Sequence, residues 1–154
     1  MQLKEKQKVK FIYGVLEKQF RHIYERAEKM EGQAGANLLT LLELRLDNVA
    51  FRMGLATTRR EARQLVSHGH FNVNGSRVDI PSYRVKVGDV IALRENSKKS
   101  TKFKEIVETT NGRLIPTWLT VDKDNLTATV TRLPVKDDLD YEVEEHMIVE
   151  LYSK

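Results

Sequence analysis

Apolar residues recur along this chain with a helical period before they change to strand-like alternation. Ile12, Leu16, Phe20, Ile23, Tyr24 and Ala27 form a stripe at three- and four-residue spacing. That stripe predicts helices near residues 4–13 and 16–30, broken around Gly14, with a loop from Gly32 to Gly35. From about Asn37 to Met53 the period continues through Leu38, Leu39, Leu42, Leu46, Val49 and Met53. A helix is expected there, with Arg45, Asn48 and Arg52 on its outward face. The next helix is short: Ala62, Leu65 and Val66 face inward, Arg59 and Arg63 share one outer row, and Arg60 and Gln64 form a second. Thr58 is placed to cap it, and Glu61 three residues later to return a bond to the cap amide. Gly69 supplies the stop, because glycine tolerates the left-handed conformation that ends helices.

Beyond Gly69 the period falls to two. Asn74-Gly75, flanked by Phe71, Val73 and Val78, reads as a two-residue hairpin turn joining strands near 71–74 and 77–80. A Pro81 turn, a Gly88-Asp89 turn and a strand near 90–94 follow. The lysine-rich stretch from Asn96 to Lys104 reads as a polar segment leading to a short helix that ends near Asn111-Gly112. Trp118 to Val121 and Leu126 to Arg132 alternate about Asp124-Asn125 as a second hairpin. In the tail, Val143, Met147, Ile148, Leu151 and Tyr152 fit helical spacing better than strand spacing, which favours a short helix packed back on the N-terminal helices.

At 154 residues with 40% apolar content, one or two small domains can close a core. The net charge of +4 is unevenly spread: residues 1–46 carry +3, residues 47–112 carry +5 and residues 113–154 carry −4. A basic body favours a polyanionic partner, and an acidic tail a different neighbour. Cysteine is absent, which excludes disulfides, thiolate nucleophiles and cysteine-based zinc sites. No apolar stretch approaches the roughly 18 residues of a bilayer span, and Phe11 to Leu16 is too short for a signal-peptide core. The expected location is the cytoplasm, with no membrane partner.

Each chemically suggestive residue has a structural rival. His68 and His70 flank Gly69 but have no further ligand at a recognisable spacing, so contact with a polyanionic partner or a helix-end hydrogen bond is expected in place of a metal. Asp47 beside Arg45 suggests a structural ion pair, not a general base. Tyr13, Phe20, Tyr24, Phe51 and Trp118 could stack on bases, yet at these spacings aromatics usually pack in a core. No catalytic residue, cofactor or metal is expected.

The segment from Arg45 to Asp89 closely resembles the RNA-binding module of the small-subunit ribosomal protein S4 family. This αL-type module is also found in some pseudouridine synthases and tyrosyl-tRNA synthetases. Upstream, EKQKVKFIYGVLEKQFRHIYERA resembles the helical start of the bacterial type, and downstream IPTWLTVD and EHMIVELYSK resemble its closing segments. The resemblance implies an α+β fold in which an all-helical domain, residues 1–44 completed by 139–154, holds an inserted mixed domain, 45–138. That insertion contains the RNA-binding module (about 45–95), helices packed on a small, mainly antiparallel sheet.

The resemblance further implies a structural protein of the small ribosomal subunit that binds the 5′ domain of small-subunit ribosomal RNA at a multi-helix junction and nucleates assembly. It also implies contact with the neighbouring protein S5, a part in decoding accuracy and binding to its own messenger RNA. Arg45, Arg52, Arg59, Arg60, Arg63, Gln64, His68, His70 and Arg77 are the expected RNA contacts. The chain departs from the family at Met1-Gln2-Leu3, where a basic extension usually precedes the first helix, so a shortened or atypical start is expected. At Pro134 it continues with Val135 and Lys136 where Pro-Glu-Arg is common, and Asp137 to Glu145 is unusually acidic. The rival readings are an RNA-modifying enzyme and a ribosome-associated stress protein using the same module. The first needs a catalytic domain that residues outside the module do not supply, and the second class generally lacks the opening and closing segments.

Overall fold

The computed structural model describes residues 1–153, so the end of the expected closing segment, Lys154, lies outside the described residues. The helices are α1 (Gln2–Tyr13), α2 (Glu17–Lys29), α3 (Ala34–Glu43), α4 (Leu46–Arg52), α5 (Arg59–Ser67), α6 (Glu95–Lys98), α7 (Thr101–Thr110) and α8 (Glu145–Tyr152). The strands are β1 (Phe71–Val73), β2 (Ser76–Arg77), β3 (Val90–Leu93), β4 (Leu119–Asp122) and β5 (Thr127–Val130). These elements fall into two units, Met1–Glu43 with the segment from Pro134 onward, and Leu44–Leu133. The class is α+β.

The first unit is helical. Gly14 ends α1 at φ 67°, and the reversal turns Val15 inward, leaving Leu16 75% exposed at the N-terminus of α2. Leu16 therefore does not belong to the apolar stripe that the spacing assigned to it. Val9, Phe20, Tyr24, Ala27, Leu38, Leu42, Val143 and Ile148 form the core. The tail is helical, and α8 closes on Gly35 of α3, where an added Cβ would lie 2.7 Å from the Glu145 side chain. Tyr152 stacks on Tyr24 at 4.3 Å between ring centroids, while Met147 and Leu151 stay half-exposed. The Tyr13 hydroxyl donates to Glu43 Oε2 at 2.6 Å; burial, then the Glu43 charge, pushes that phenol well above its ordinary pKa.

In the second unit the sheet has the order β2-β1-β3-β5-β4, and every pairing is antiparallel. Phe71, Val73, Ile91, Leu93, Leu119, Ala128 and Val130 bury one side against Leu46, Val49, Ala50, Leu65, Val66 and Phe103. The predicted helix over 37–53 is instead two helices. Arg45 is extended (φ −64°, ψ 141°), and the backbone around it pairs with a distant segment. Leu44 O accepts from Val85 N at 2.9 Å, Leu46 N donates to Tyr83 O at 2.7 Å and Asp47 N to Pro81 O at 3.1 Å. The same pairing shortens the second predicted strand to Ser76–Arg77, because the chain leaves the sheet to reach α4. The lysine-rich segment is also more ordered than its composition suggests: α6 occupies part of it, and Ser100 Oγ caps α7 by accepting from Lys102 N at 3.2 Å.

Tyr152→Ala removes the ring stacked on Tyr24 and Phe20. It is expected to destabilise the helical unit by about 2 kcal/mol. Amide exchange should accelerate in α2 and α8 with little change in β1, β3 and β5, and uniform acceleration through both units would contradict the packing described.

Candidate nucleic-acid interface

The interface is built from the start of α4 outward. Asp47 is 3% exposed, and its carboxylate accepts from Arg45 Nε (3.1 Å) and Nη2 (3.0 Å) and from the Asn48 amide (2.7 Å). The Asn48 side chain is fully buried, and its Oδ1 accepts from Arg59 Nε at 2.9 Å. The Arg59 guanidinium also lies 4.4 Å from the Phe51 ring centroid, with that of Arg113 at 4.5 Å. Arg113 donates to the carbonyls of Phe51 (2.8 Å) near the end of α4 and Ala56 (3.0 Å) in the loop before α5, tying the two together. A hydrogen-bonded and cation–π brace thus fixes α5 against α4.

Arg45 and Arg52 were expected on an outward face, and the structure places both inside, 3% and 6% exposed. For Arg45 the physical reason is the break in the helix at that residue, which turns its guanidinium onto Asp47 while the flanking backbone pairs with the segment from Pro81 to Val85; Arg52 is buried at the end of α4, its guanidinium 5.8 Å from the Phe51 ring centroid. Arg59 is half-buried against α4. Arg60, Arg63, Gln64 and Ser67 are exposed and line a shallow hollow on the outer side of α5 with Thr58 and Glu61.

The helix termini follow local chemistry. Thr58 Oγ1 accepts from Glu61 N at 3.0 Å, while Glu61 Oε1 accepts from Thr57 N at 2.7 Å, one residue earlier than a standard capping box would place it. At the other end Gly69 N bonds Val66 O and His70 N bonds Leu65 O, a Schellman closure with Gly69 at φ 81°. The space above the Gly69 Cα is filled by the Arg77 guanidinium, which an added Cβ would meet at 2.1 Å. Arg77 is thereby laid across the end of α5, next to the exposed His68.

His70 is half-buried, with Nδ1 2.8 Å from Ser97 Oγ and its ring edge-on to Phe103 at 5.1 Å. Burial first, then the basic groups His68, Lys102, Arg94 and Arg77, hold its pKa below the ordinary histidine value. Arg94 donates from Nη1 to Gly69 O at 3.2 Å. Arg94, Lys102 and Arg113 carried no role in the sequence reading; only the lysine-rich composition near Lys102 hinted at a basic face. Asn74 is a turn residue with its side chain in use: Oδ1 accepts from Val90 N and Nδ2 donates to Asp89 Oδ1, both at 2.9 Å. Among the described residues no group of three or more His, Asp or Glu side chains is placed to hold a metal, and no helix is long and apolar enough to cross a membrane.

Comparison with known proteins gives matches over both units. Residues 44–91 match the S4 domain family, and residues 1–43 match the ribosomal protein S4/S9 N-terminal domain. A protein of Clostridioides difficile named small ribosomal subunit protein uS4 is 62% identical over 154 residues, 100% of this chain and 74% of that relative. Proteins of the same name from Lachnospira eligens and Caldicellulosiruptor bescii are each 60% identical over all of this chain, which covers 78% and 74% of their lengths.

The brace and the caps predict different costs. Asp47→Ala strands the permanently charged Arg45 guanidinium in the interior and is expected to cost about 3–5 kcal/mol. Glu61→Ala removes the two bonds its carboxylate accepts from the Thr57 amide and hydroxyl and is expected to cost about 1 kcal/mol. Urea unfolding followed by circular dichroism checks both, and equal losses would show that the Asp47 pair is not the stronger restraint.

Proposed function

The chain belongs to the family of small ribosomal subunit protein uS4, and from that premise we propose that it binds the 5′ domain of small-subunit ribosomal RNA at a multi-helix junction and nucleates assembly there. It is a structural, non-enzymatic, ribosomal-RNA-binding protein of the small subunit in the cytoplasmic ribosome. The observation that carries the finer reading is the cationic outer face of α5, continued at its end by His68 and, across Gly69, by Arg77. Arg60, Arg63, Gln64, His68 and Arg77 are its exposed members, with Arg59 and His70 half-buried beside them. Arg45 acts from inside, bonded to Asp47 at the start of the helix that braces α5, and Arg52 is buried at the other end of that helix.

The chemistry is stoichiometric. Guanidinium groups neutralise closely spaced phosphates and release counterions, while Gln64 and the histidines fix register on sugar and backbone. Because the deep, narrow major groove of an RNA helix denies side chains access to base edges, a rigid convex helix selects junction shape above base sequence. The helical domain, 1–44 with 139–154, and the mixed domain, 45–138, are each read as contacting that junction. Contact with S5, a contribution to decoding accuracy and binding of the chain's own messenger belong to the same proposal, supported by family membership.

Binding to a transcript of the 5′ domain should weaken steeply as salt rises. The paired substitution Arg60→Ala with Arg63→Ala should leave the circular dichroism unchanged and reduce the salt slope by about two units. A filter-binding series in which the double variant keeps its affinity and slope would return these arginines to an ordinary solvated face. Equal affinity of the native chain for an unrelated structured RNA would remove the junction reading.

A further inference from the structure

The basic groups gathered around Gly69 come from four separate parts of the mixed unit. His68 and His70 flank the glycine at the end of α5, Arg77 lies across it from β2, Arg94 reaches its carbonyl from the end of β3, and Lys102 stands beside Phe103 on α7. Local sequence does not bring them together; the Schellman closure and the antiparallel register do. Long cationic side chains ordinarily keep apart in water, since like charges repel at short range. Here two of them are tied to the same glycine: Arg77 by filling the space that a side chain would occupy, and Arg94 by a hydrogen bond of 3.2 Å to its carbonyl.

We propose that His68, His70, Arg77, Arg94 and Lys102 form one phosphodiester-binding cradle, and that His70 takes up a proton as the cradle fills. The inference rests on the RNA-binding reading above and adds to it Arg94, Lys102 and a linked proton. In the free chain burial first, then the basic groups His68, Lys102, Arg94 and Arg77, hold the His70 pKa below the ordinary histidine value, which favours the neutral ring. A phosphate entering among those cations reverses the local potential and favours the imidazolium. The ring is already oriented by Ser97 Oγ through Nδ1 and by the edge-on contact with Phe103, which limits the rotamer freedom lost when its other nitrogen, protonated, donates to an anionic oxygen. The sign follows: when the complex holds one more proton than its separated parts, affinity rises as pH falls through the histidine range.

The experiment uses the full chain and a transcript of the 5′ domain of small-subunit ribosomal RNA. Calorimetric titrations in buffers of differing ionisation enthalpy measure proton uptake, and histidine ring resonances of the free chain report His70 titration. The expected result is uptake approaching about one proton near pH 7, with affinity rising up to about tenfold per pH unit on acidification. His70→Asn, which can still meet Ser97, should abolish most of the uptake while keeping the fold. Lys102→Met should weaken binding several-fold and raise the His70 titration midpoint in the free chain. Tight binding of the native chain with no proton uptake would overturn the proposal, as would a Lys102→Met variant with unchanged affinity. Uptake that persists in His70→Asn would assign the proton to another group and also overturn it. A native chain that fails to bind the transcript at all would instead remove the ribosomal reading on which the cradle rests.

Discussion

The carboxylate of Asp47, buried and accepting at once from Arg45 and from the Asn48 amide, is the contact on which the mixed unit depends. An arginine cannot shed its charge, so a buried one requires a fixed anion. Meeting that requirement starts α4 at Leu46, draws the backbone around Arg45 into pairing with residues 81–85 and turns Asn48 toward Arg59. A typical domain is stable by only about 5–15 kcal/mol, so a single pair of this kind is a substantial fraction of the whole. Its effect on function is indirect. Because Arg59 is held by Asn48 and Phe51, the neighbouring Arg60 and Arg63 project from a helix that cannot roll.

Gly69 plays the complementary part at the other end of α5. Its left-handed backbone ends the helix with satisfied carbonyls, and its missing side chain admits Arg77. The interface is therefore rigid at both ends for different reasons, an ion pair at one and a conformational allowance at the other. Rigidity matters for a protein that selects RNA by shape, since ordering flexible side chains on binding opposes association. The helical unit reaches comparable order through aromatic packing, with Tyr152 against Tyr24 and the buried Tyr13 hydroxyl bonded to Glu43.

Much of this was legible in the sequence where the determinant was local. The Thr58 cap, the stop at Gly69, the Asn74-Gly75 turn and the helical tail each depend on residues within a few positions of one another, and each is present. The failures share one cause. The apolar period from Leu38 to Met53 runs unbroken through Leu44 and Arg45, and what divides it is hydrogen bonding to residues nearly forty positions away, which no helical wheel contains. The same wheel sets arginines outward, so Arg45 and Arg52 were assigned to the surface although the fold buries both, Arg45 where a distant segment pairs with its backbone. Arg94, Lys102 and Arg113 went unassigned for a related reason: each acts on a partner supplied by the fold and not by its neighbours in sequence.

The central claim is that the outer face of α5 and the hairpin end beyond Gly69 meet the RNA. The chain has no cysteine, so single thiols can be placed without background. Directed hydroxyl-radical cleavage from an iron chelate tethered at the exposed Ser67→Cys tests the claim directly, with the same chelate at the exposed Asp124→Cys, in the β4–β5 turn at the sheet edge opposite β2, as comparison. Strong, localised cuts in the 5′ domain of small-subunit ribosomal RNA from position 67, and weak cuts from position 124, are predicted. Strong cleavage from 124 with little from 67 would place the RNA on the opposite side of the unit and contradict the account.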